Sequence, residues 1–208
     1  MPSEPTRTDG SAGGEAAQPE VLAAIDGGVL TLTLNRPEAL NAITPTMLAT
    51  LGDLLLEASE DDSVRVVVLT GSGRAVSAGV DLRALGGREL TNGIVGDILD
   101  VPARRVTGLL STMPKPTVAR VNGHCFTGAL ELVLSCDLAI VVAEAKLGDT
   151  HAKFGLRPTW GLSQRLPRLI GIAAARELSY TPRVFSGTEA AEIGLVTRSV
   201  PAAELEDA

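Results

Sequence analysis

Short runs of β-branched and aliphatic residues alternate along most of the chain with longer segments whose apolar residues recur at helical spacing. Val64 to Thr70 is a run of the kind that forms a buried strand, and Met47 to Ala58 keeps an apolar stripe with a period of 3.6 residues. Strands that alternate with helices at such spacings predict an α/β fold built from repeated strand-strand-helix units.

Turn and proline signals divide the rest of the chain into further elements. Predicted strands are a hairpin, 21–25 and 29–34 around Asp26-Gly27-Gly28, and two later runs at 117–121 and 137–143. Predicted helices begin at Pro45 after Thr44, at Pro102 and near Thr127, and a helical region over 161–195 is broken at Gly171, Pro182 and Gly187.

Charge and composition exclude several classes of protein. The chain has 18 Lys and Arg against 25 Asp and Glu, a net charge of −7, which disfavours nucleic acids and acidic membranes as partners. The apolar run 138–143 is far shorter than the roughly 20 residues that span a bilayer. Two cysteines and two histidines predict neither a disulfide scaffold nor a metal site, and a reducing cytoplasm fits this composition best.

The first 19 residues differ in composition from the remainder. They are rich in Pro, Ser, Thr, Gly, Ala and Glu and contain no contiguous apolar stretch, so they are predicted to be a disordered tail. They also lack the apolar segment of about 7 to 15 residues that marks a secretory signal. The folded domain is therefore predicted over 20–208.

Small residues mark a first candidate site at Ser77–Leu82. Such a turn brings backbone N–H groups close to a ligand, although a plain strand-to-helix connection with Asp81 as the cap explains the same residues. The nearby Gly71-Ser72-Gly73 is no dinucleotide fingerprint, because its third glycine would fall at Val76. A nucleotide-binding fold is therefore disfavoured.

A second candidate site combines the start of a helix near Thr127 with an acidic residue one turn later. Gly128 leaves room for a ligand beside the first N–H groups of that helix. Glu131 stands alone in an apolar helical run, where a carboxylate is costly to bury unless it is paired, solvated or protonated. It is either an acid–base group or a carboxylate that pairs with an arginine or faces a subunit boundary.

The third stretch is Lys146–Gln164, where one His, one Asp and the only Trp of the chain lie together. His151 is either a proton-transfer group or a surface side chain. Asp149 is either a helper acid or a helix cap.

Taken together, these motifs resemble the crotonase superfamily of enoyl-CoA hydratases and isomerases. The likeness runs from about Val21 to Pro201, with several motifs in the same order. They are Asn35-Arg36-Pro37, Leu40-Asn41-Ala42, Gly73–Leu82, Val121–Gly128, Glu131, Cys136-Asp137, Gly155–Pro158, Gly161–Leu166 and Ala191–Val196.

The resemblance implies a spiral of strand-strand-helix repeats that binds an acyl-CoA thioester and needs no cofactor, because coenzyme A is part of the substrate. Matched by position, the backbone N–H groups of Val80 and Gly128 would form the oxyanion hole. Substrate contacts would come from Ala78, Asp81 and Leu82, with Arg74 and Arg83 as partners for the CoA phosphates.

In the hydratases that the sequence resembles, two glutamates act on one water molecule. Glu131 matches the first, and His151 stands at the position of the second. The resemblance therefore implies an enoyl-CoA hydratase of fatty-acid metabolism with Glu131 and His151 as its catalytic residues. A double-bond isomerase and a non-catalytic acyl-CoA carrier are the alternatives, because His replaces the second acid.

Members of that family continue beyond the position of Pro201 with helices that close the acyl pocket and assemble trimers. This sequence ends at Ala208, so the resemblance implies a crotonase-like fold with the C-terminal helical region truncated. A homotrimer or hexamer is the corresponding expectation for the oligomer.

Overall fold

The computed structural model describes residues 18–85 and 92–208, and the predicted tail lies outside them except for its last two residues. The ten strands described are β1 Val21–Asp26, β2 Val29–Leu34, β3 Val66–Gly71, β4 Ala75–Ser77, β5 Thr117–Val121, β6 His124–Phe126, β7 Leu138–Val142, β8 Lys146–Gly148, β9 Phe185–Ser186 and β10 Arg198–Val200. The six α-helices described are α1 Pro45–Glu60, α2 Asp97–Thr112, α3 Gly128–Val133, α4 Leu162–Ile170, α5 Ile172–Tyr180 and α6 Gly187–Glu192.

The strands form two sheets. The larger has the order β1-β2-β3-β5-β7-β10, and the smaller has the order β4-β6-β8-β9. In the larger sheet β1 and β2 are the predicted antiparallel hairpin, and the strands from β2 onward run parallel to one another. Parallel neighbours require crossover connections, which the helices supply.

Successive turns of the chain repeat one unit. β3 and β4, then β5 and β6, then β7 and β8 each give one strand to the larger sheet and one to the smaller, and each pair is followed by a helix. This arrangement confirms the predicted α/β spiral of strand-strand-helix repeats. It also brings the loops that follow β4, β6 and β8 to neighbouring positions, because these three strands are adjacent and parallel.

The amphipathic stripe of α1 packs into the core as predicted. Thr44 caps this helix by accepting a hydrogen bond from the Met47 N–H at 3.0 Å, and Pro45 occupies the first turn, where a missing N–H costs nothing. The buried face consists of Met47, Leu48, Leu51, Gly52, Leu55 and Ala58. One apolar core thus joins the helices to the sheets.

Two predicted starts are wrong by two residues or more. α2 begins at Asp97, five residues before the predicted start at Pro102, and the proline lies inside the helix. Proline favours the first turn of a helix, but Asp97 and Asp100 form an acidic first turn that favours the earlier start. β3 begins at Val66 instead of Val64. The five short strands β4, β6, β8, β9 and β10 were not predicted.

Candidate active site

A cavity of about 210 Å³ lies where the loops after β4, β6 and β8 meet the start of α4. Most of its lining is apolar, with a few polar groups. The lining residues are Ala78, Val80, Leu82, Val95, Thr127, Gly128, Glu131, His151, Phe154, Leu156, Arg157, Thr159 and Trp160. Mostly apolar walls with a few convergent polar groups are typical of a small-molecule site.

The loop after β4 is held in place by the segment before α1. The Ile43 N–H donates to the Gly79 carbonyl and the Asp81 N–H donates to the Ile43 carbonyl, at 2.8 and 2.9 Å. In an extended segment the N–H of the residue between them points to the opposite side. Among the described residues the Val80 N–H has no acceptor, so it is available to a ligand.

The loop after β6 ends in an unusual backbone conformation at the start of α3. Thr127 has φ 48° and ψ −116°, and a positive φ is strained for a β-branched residue. The Gly128 N–H has no acceptor within the described parts of the chain, and no side chain caps the helix. A β carbon at Gly79 (φ 98°) would collide with the Thr127 hydroxyl, so the two loops require each other's shape.

Glu131 is 1% exposed and its two oxygens have different partners. Oε1 accepts hydrogen bonds from the N–H groups of Trp160 and Leu162, both at 3.0 Å, and Leu162 is the first residue of α4. Oε2 lies 3.5 Å from Nε2 of His151. The carboxylate is therefore fixed by a helix N-terminus, which favours negative charge, and keeps one oxygen for chemistry.

His151 is 6% exposed, so it is not the surface side chain that was one alternative. The ring Nδ1 of His151 lies 2.7 Å from Oδ1 of Asp149. The backbone N–H of His151 donates a weak hydrogen bond to the same oxygen at 3.3 Å. Burial opposes protonation of the ring, but the hydrogen bonds and charges of Asp149 and Glu131 outweigh it and raise the pKa of His151 to about 9. His151 is then an imidazolium at neutral pH.

Trp160 connects the two sides of the cavity. Its ring packs so closely on Gly128 that a β carbon there would lie 2.5 Å from Cζ3. The ring Nε1 donates to Oδ1 of Asp100 at 2.8 Å, and the Thr159 hydroxyl donates to the same oxygen at 2.7 Å. Asp100 is a buried residue of α2, so α2 sets the position of the ring against Gly128.

The other predicted substrate contacts divide into two groups. Ala78 and Leu82 line the cavity, whereas Asp81 does not. The Asp81 carboxylate lies 3.0 Å from the Arg36 guanidinium and accepts from the Arg83 N–H. The side chains of Arg74 and Arg83 are exposed outside the cavity lining.

Three residues that support the site were not identified from the sequence as parts of it. Asp100 could have been found, because an acidic residue within the buried stripe of a helix indicates a buried polar contact. Asn41 holds the loop after β3 through donation to the Ser72 and Ala75 carbonyls. Ser179 donates to Asp149 at 2.7 Å from α5, and nothing in its local sequence indicates this.

Two other kinds of feature are absent from the described residues. Over 18–85 and 92–208, no three His, Cys, Asp or Glu side chains are grouped so as to hold a metal ion. In the same ranges, no helix combines the length and apolarity that crossing a bilayer requires.

Comparison with known proteins agrees with this fold. The family model for enoyl-CoA hydratase/isomerase matches residues 24–208. The chain belongs to this family. An enoyl-CoA hydratase from Bacillus anthracis, whose crystal structure is known at 1.8 Å resolution, superposes with a TM-score of 0.85 and 35% identity, over 91% of this chain and 73% of that one. The fold is therefore of the crotonase type.

Two relatives named as enoyl-CoA hydratases share more than a third of their aligned residues with this chain. The Arabidopsis thaliana protein named probable enoyl-CoA hydratase 1, peroxisomal is 38% identical over 86% of this chain. The short-chain-enoyl-CoA hydratase of Clostridium acetobutylicum is 35% identical over 86% of this chain and 68% of its own length. The match spans 65% of the Arabidopsis protein, a little less than two thirds.

Proposed function

We propose that the protein is an enoyl-CoA hydratase, which adds water across the 2,3 double bond of an enoyl-CoA thioester. The observation that carries this proposal is the pairing of Glu131 Oε2 with His151 Nε2, 3.5 Å apart in the cavity wall. A carboxylate and an imidazole this close together can pass a proton between them. Such a pair suits a reaction in which one group takes a proton from water and the other gives a proton to carbon. The named hydratases among its relatives support the same reaction class.

The thioester is activated by backbone N–H groups. Val80 and Gly128 both line the cavity, and their N–H groups have no acceptor among the described residues. Two such donors hold the thioester oxygen and stabilise the enolate that forms when water attacks C3. Removal of one oxyanion-hole donor typically costs roughly 3 to 4 kcal/mol of transition-state stabilisation.

The proton steps then divide between the two side chains. Glu131 Oε2 accepts a proton from water while the water oxygen bonds to C3 of the enoyl group. The electrons of the double bond move to C2 and the thioester oxygen, and His151 Nε2 gives its proton to C2. Transfer of the proton from Glu131 to His151 restores both groups. The raised pKa of His151 supplies the imidazolium that this sequence of steps requires.

The substrate and its setting follow from the walls of the cavity and from the family. The largely apolar lining, with Phe154, Leu156 and Trp160, suits a hydrocarbon acyl group, and coenzyme A arrives with the substrate, so no separate cofactor is needed. The exposed Arg74 and Arg83 would meet the CoA phosphates. A role in fatty-acid metabolism, a trimeric or hexameric assembly and a cytoplasmic location complete the proposal.

The test is the loss of conjugated-thioester absorbance from short-chain and long-chain trans-2-enoyl-CoA, with acyl-CoA binding measured in parallel. Hydration is expected for the unmodified protein. An isomerase that needs one base would instead interconvert 3-enoyl-CoA and 2-enoyl-CoA, and a carrier would bind without turnover. Either of these results would overturn the proposal.

A further inference from the structure

Asp149 lies behind His151 and uses both of its oxygens. It is 1% exposed in the loop after β8. Oδ1 lies 2.7 Å from His151 Nδ1, and Oδ2 accepts from the Ser179 hydroxyl of α5 at 2.7 Å. Glu131, on α3, lies at the opposite end of the ring. A series of hydrogen-bonding groups therefore runs from the partly buried Ser179 of α5 through the buried Asp149 and His151 to the buried Glu131.

This series of contacts gives the two nitrogens of the His151 ring different roles. A carboxylate accepts but does not donate, so Nδ1 of His151 must carry a proton toward Asp149. Nε2 is then the nitrogen that faces Glu131 and exchanges a proton. The Ser179 hydroxyl donates to the second Asp149 oxygen, which favours one rotamer of the carboxylate.

We propose that Asp149, supported by Ser179, is a positioning residue that holds His151 with Nδ1 protonated and Nε2–H directed to the substrate cavity. The proposal rests on the proposed function for the role of His151, but it makes a claim about the ring that can be tested without any substrate. Asp149 acts only through His151 and does not line the cavity of about 210 Å³.

Several other charged groups lie near the ring. A second cavity of about 630 Å³ shares His151, Leu156, Arg157 and Thr159 with the first. Within the described part of the chain, the titratable and charged side chains that line the two cavities beside His151 are Glu131, Asp149, Arg157, Arg176 and Tyr180. Lys153 shares the short 3-10 helix of His151 and is exposed. Of these groups, Glu131 and Asp149 contact the ring. Glu131 is also the base of the proposed reaction, so substitution of Asp149 is the change that tests the positioning of the ring by itself.

The chain is well suited to a direct measurement because it contains two histidines. Imidazole titration by NMR follows both, and the variant His124→Gln assigns them. In Asp149→Asn we expect the His151 pKa to fall from about 9 toward the ordinary histidine range. In the same variant the alkaline limb of the hydration rate moves to lower pH, and kcat at about pH 8 falls about a hundredfold while KM changes little.

The controls separate this role from a structural one. Asp137→Asn changes another carboxylate with two hydrogen bonds, both to Thr117 and away from the cavity, and is expected to leave the His151 titration unchanged. Ser179→Ala should shift the titration in the same direction by less, and it serves as the test if Asp149→Asn does not fold. Asp149→Glu should recover part of the shift.

The outcomes keep the two proposals apart. A His151 titration that is the same in Asp149→Asn, Ser179→Ala and the unmodified protein overturns the positioning role, whatever the hydratase activity. A shifted titration in a protein that hydrates no enoyl-CoA supports the positioning role and overturns the proposed function alone.

Discussion

The cavity has a backbone side, formed by the N–H groups of Val80 and Gly128, and a side-chain side, formed by Glu131 and His151. On one side, the N–H groups of Val80 and Gly128 belong to the backbone and are aimed by loop conformation, including the positive φ angles of Gly79 and Thr127. On the other side, Glu131 and His151 are side chains fixed by hydrogen bonds. The first side depends on shape and the second on charge, so substitutions on the two sides should have different kinetic signatures.

The largest effect is expected for Glu131→Gln, on the side-chain side. Glutamine keeps an oxygen for the N–H groups of Trp160 and Leu162 but cannot accept a proton from water. Hydration should fall by about a thousandfold, with acyl-CoA affinity nearly unchanged. Steady-state kinetics with direct binding checks this, and turnover equal to that of the unmodified protein would exclude Glu131 as the base.

His151→Glu tests the same side, because it introduces the second glutamate that the resemblance to hydratases implies at this position. The new carboxylate would stand between Asp149 and Glu131, and like charges at such distances repel. We expect hydration to fall about a hundredfold. Adding Asp149→Asn removes one of the three charges and should recover part of the rate. If His151→Glu alone is fully active, the charge of Asp149 does not matter to the site.

Gly128→Ala tests the backbone side. The added β carbon would meet the Trp160 ring at 2.5 Å, and moving that ring also disturbs the N–H that Trp160 gives to Glu131. We expect both a higher KM and a lower kcat, with about 1 to 3 kcal/mol lost from the free energy of unfolding.

The matched control for this change is Gly108→Ala in α2, where an added β carbon meets nothing within 4 Å. This variant should be more stable by about 0.5 to 1 kcal/mol and equally active. Equal denaturation midpoints and rates for the two alanine variants would show that the Trp160 contact does not constrain the backbone side.

The last expected effect is on the pH dependence of the free energy of unfolding. The pKa of His151 is raised from the ordinary histidine value of 6.5 to about 9 in the fold, so its contribution to folding is fully present below about pH 6.5 and is lost as the pH rises through 9. Chemical denaturation across this window should show a decline that is weaker in His151→Gln. Identical pH profiles would contradict the raised pKa.

The same contrast explains how much could be predicted from the sequence. The backbone side has local signals, since Gly79, Gly128 and the strand ends before them indicate two turns with exposed N–H groups. The contacts of Ile43 and Thr127 that fix the loop at Gly79 come from elsewhere in the chain and could not be predicted. The repeated α/β architecture follows likewise from local periodicity.

The side-chain side could be predicted only in part. Glu131 and His151 were candidates, but the groups that define their chemistry come from elsewhere in the chain. The amides at the start of α4 lie about thirty residues from Glu131, and Ser179 lies 30 residues from Asp149. No pattern of spacing encodes such contacts, because they arise only when α4 and α5 pack beside the cavity. Asp81 shows the reverse case, a motif residue whose carboxylate bonds to Arg36 outside the cavity lining.

The most direct test of the proposed hydration follows the atoms of the product. The protein is incubated with trans-2-butenoyl-CoA in D₂O, and the product is analysed by NMR. We expect 3-hydroxybutanoyl-CoA with one deuterium at C2, in a single configuration, and formation of this product about a thousandfold more slowly with Glu131→Gln. Unlabelled C2, deuterium at C4 without a hydroxyl at C3, or release of the free acid would contradict hydration by Glu131 and His151.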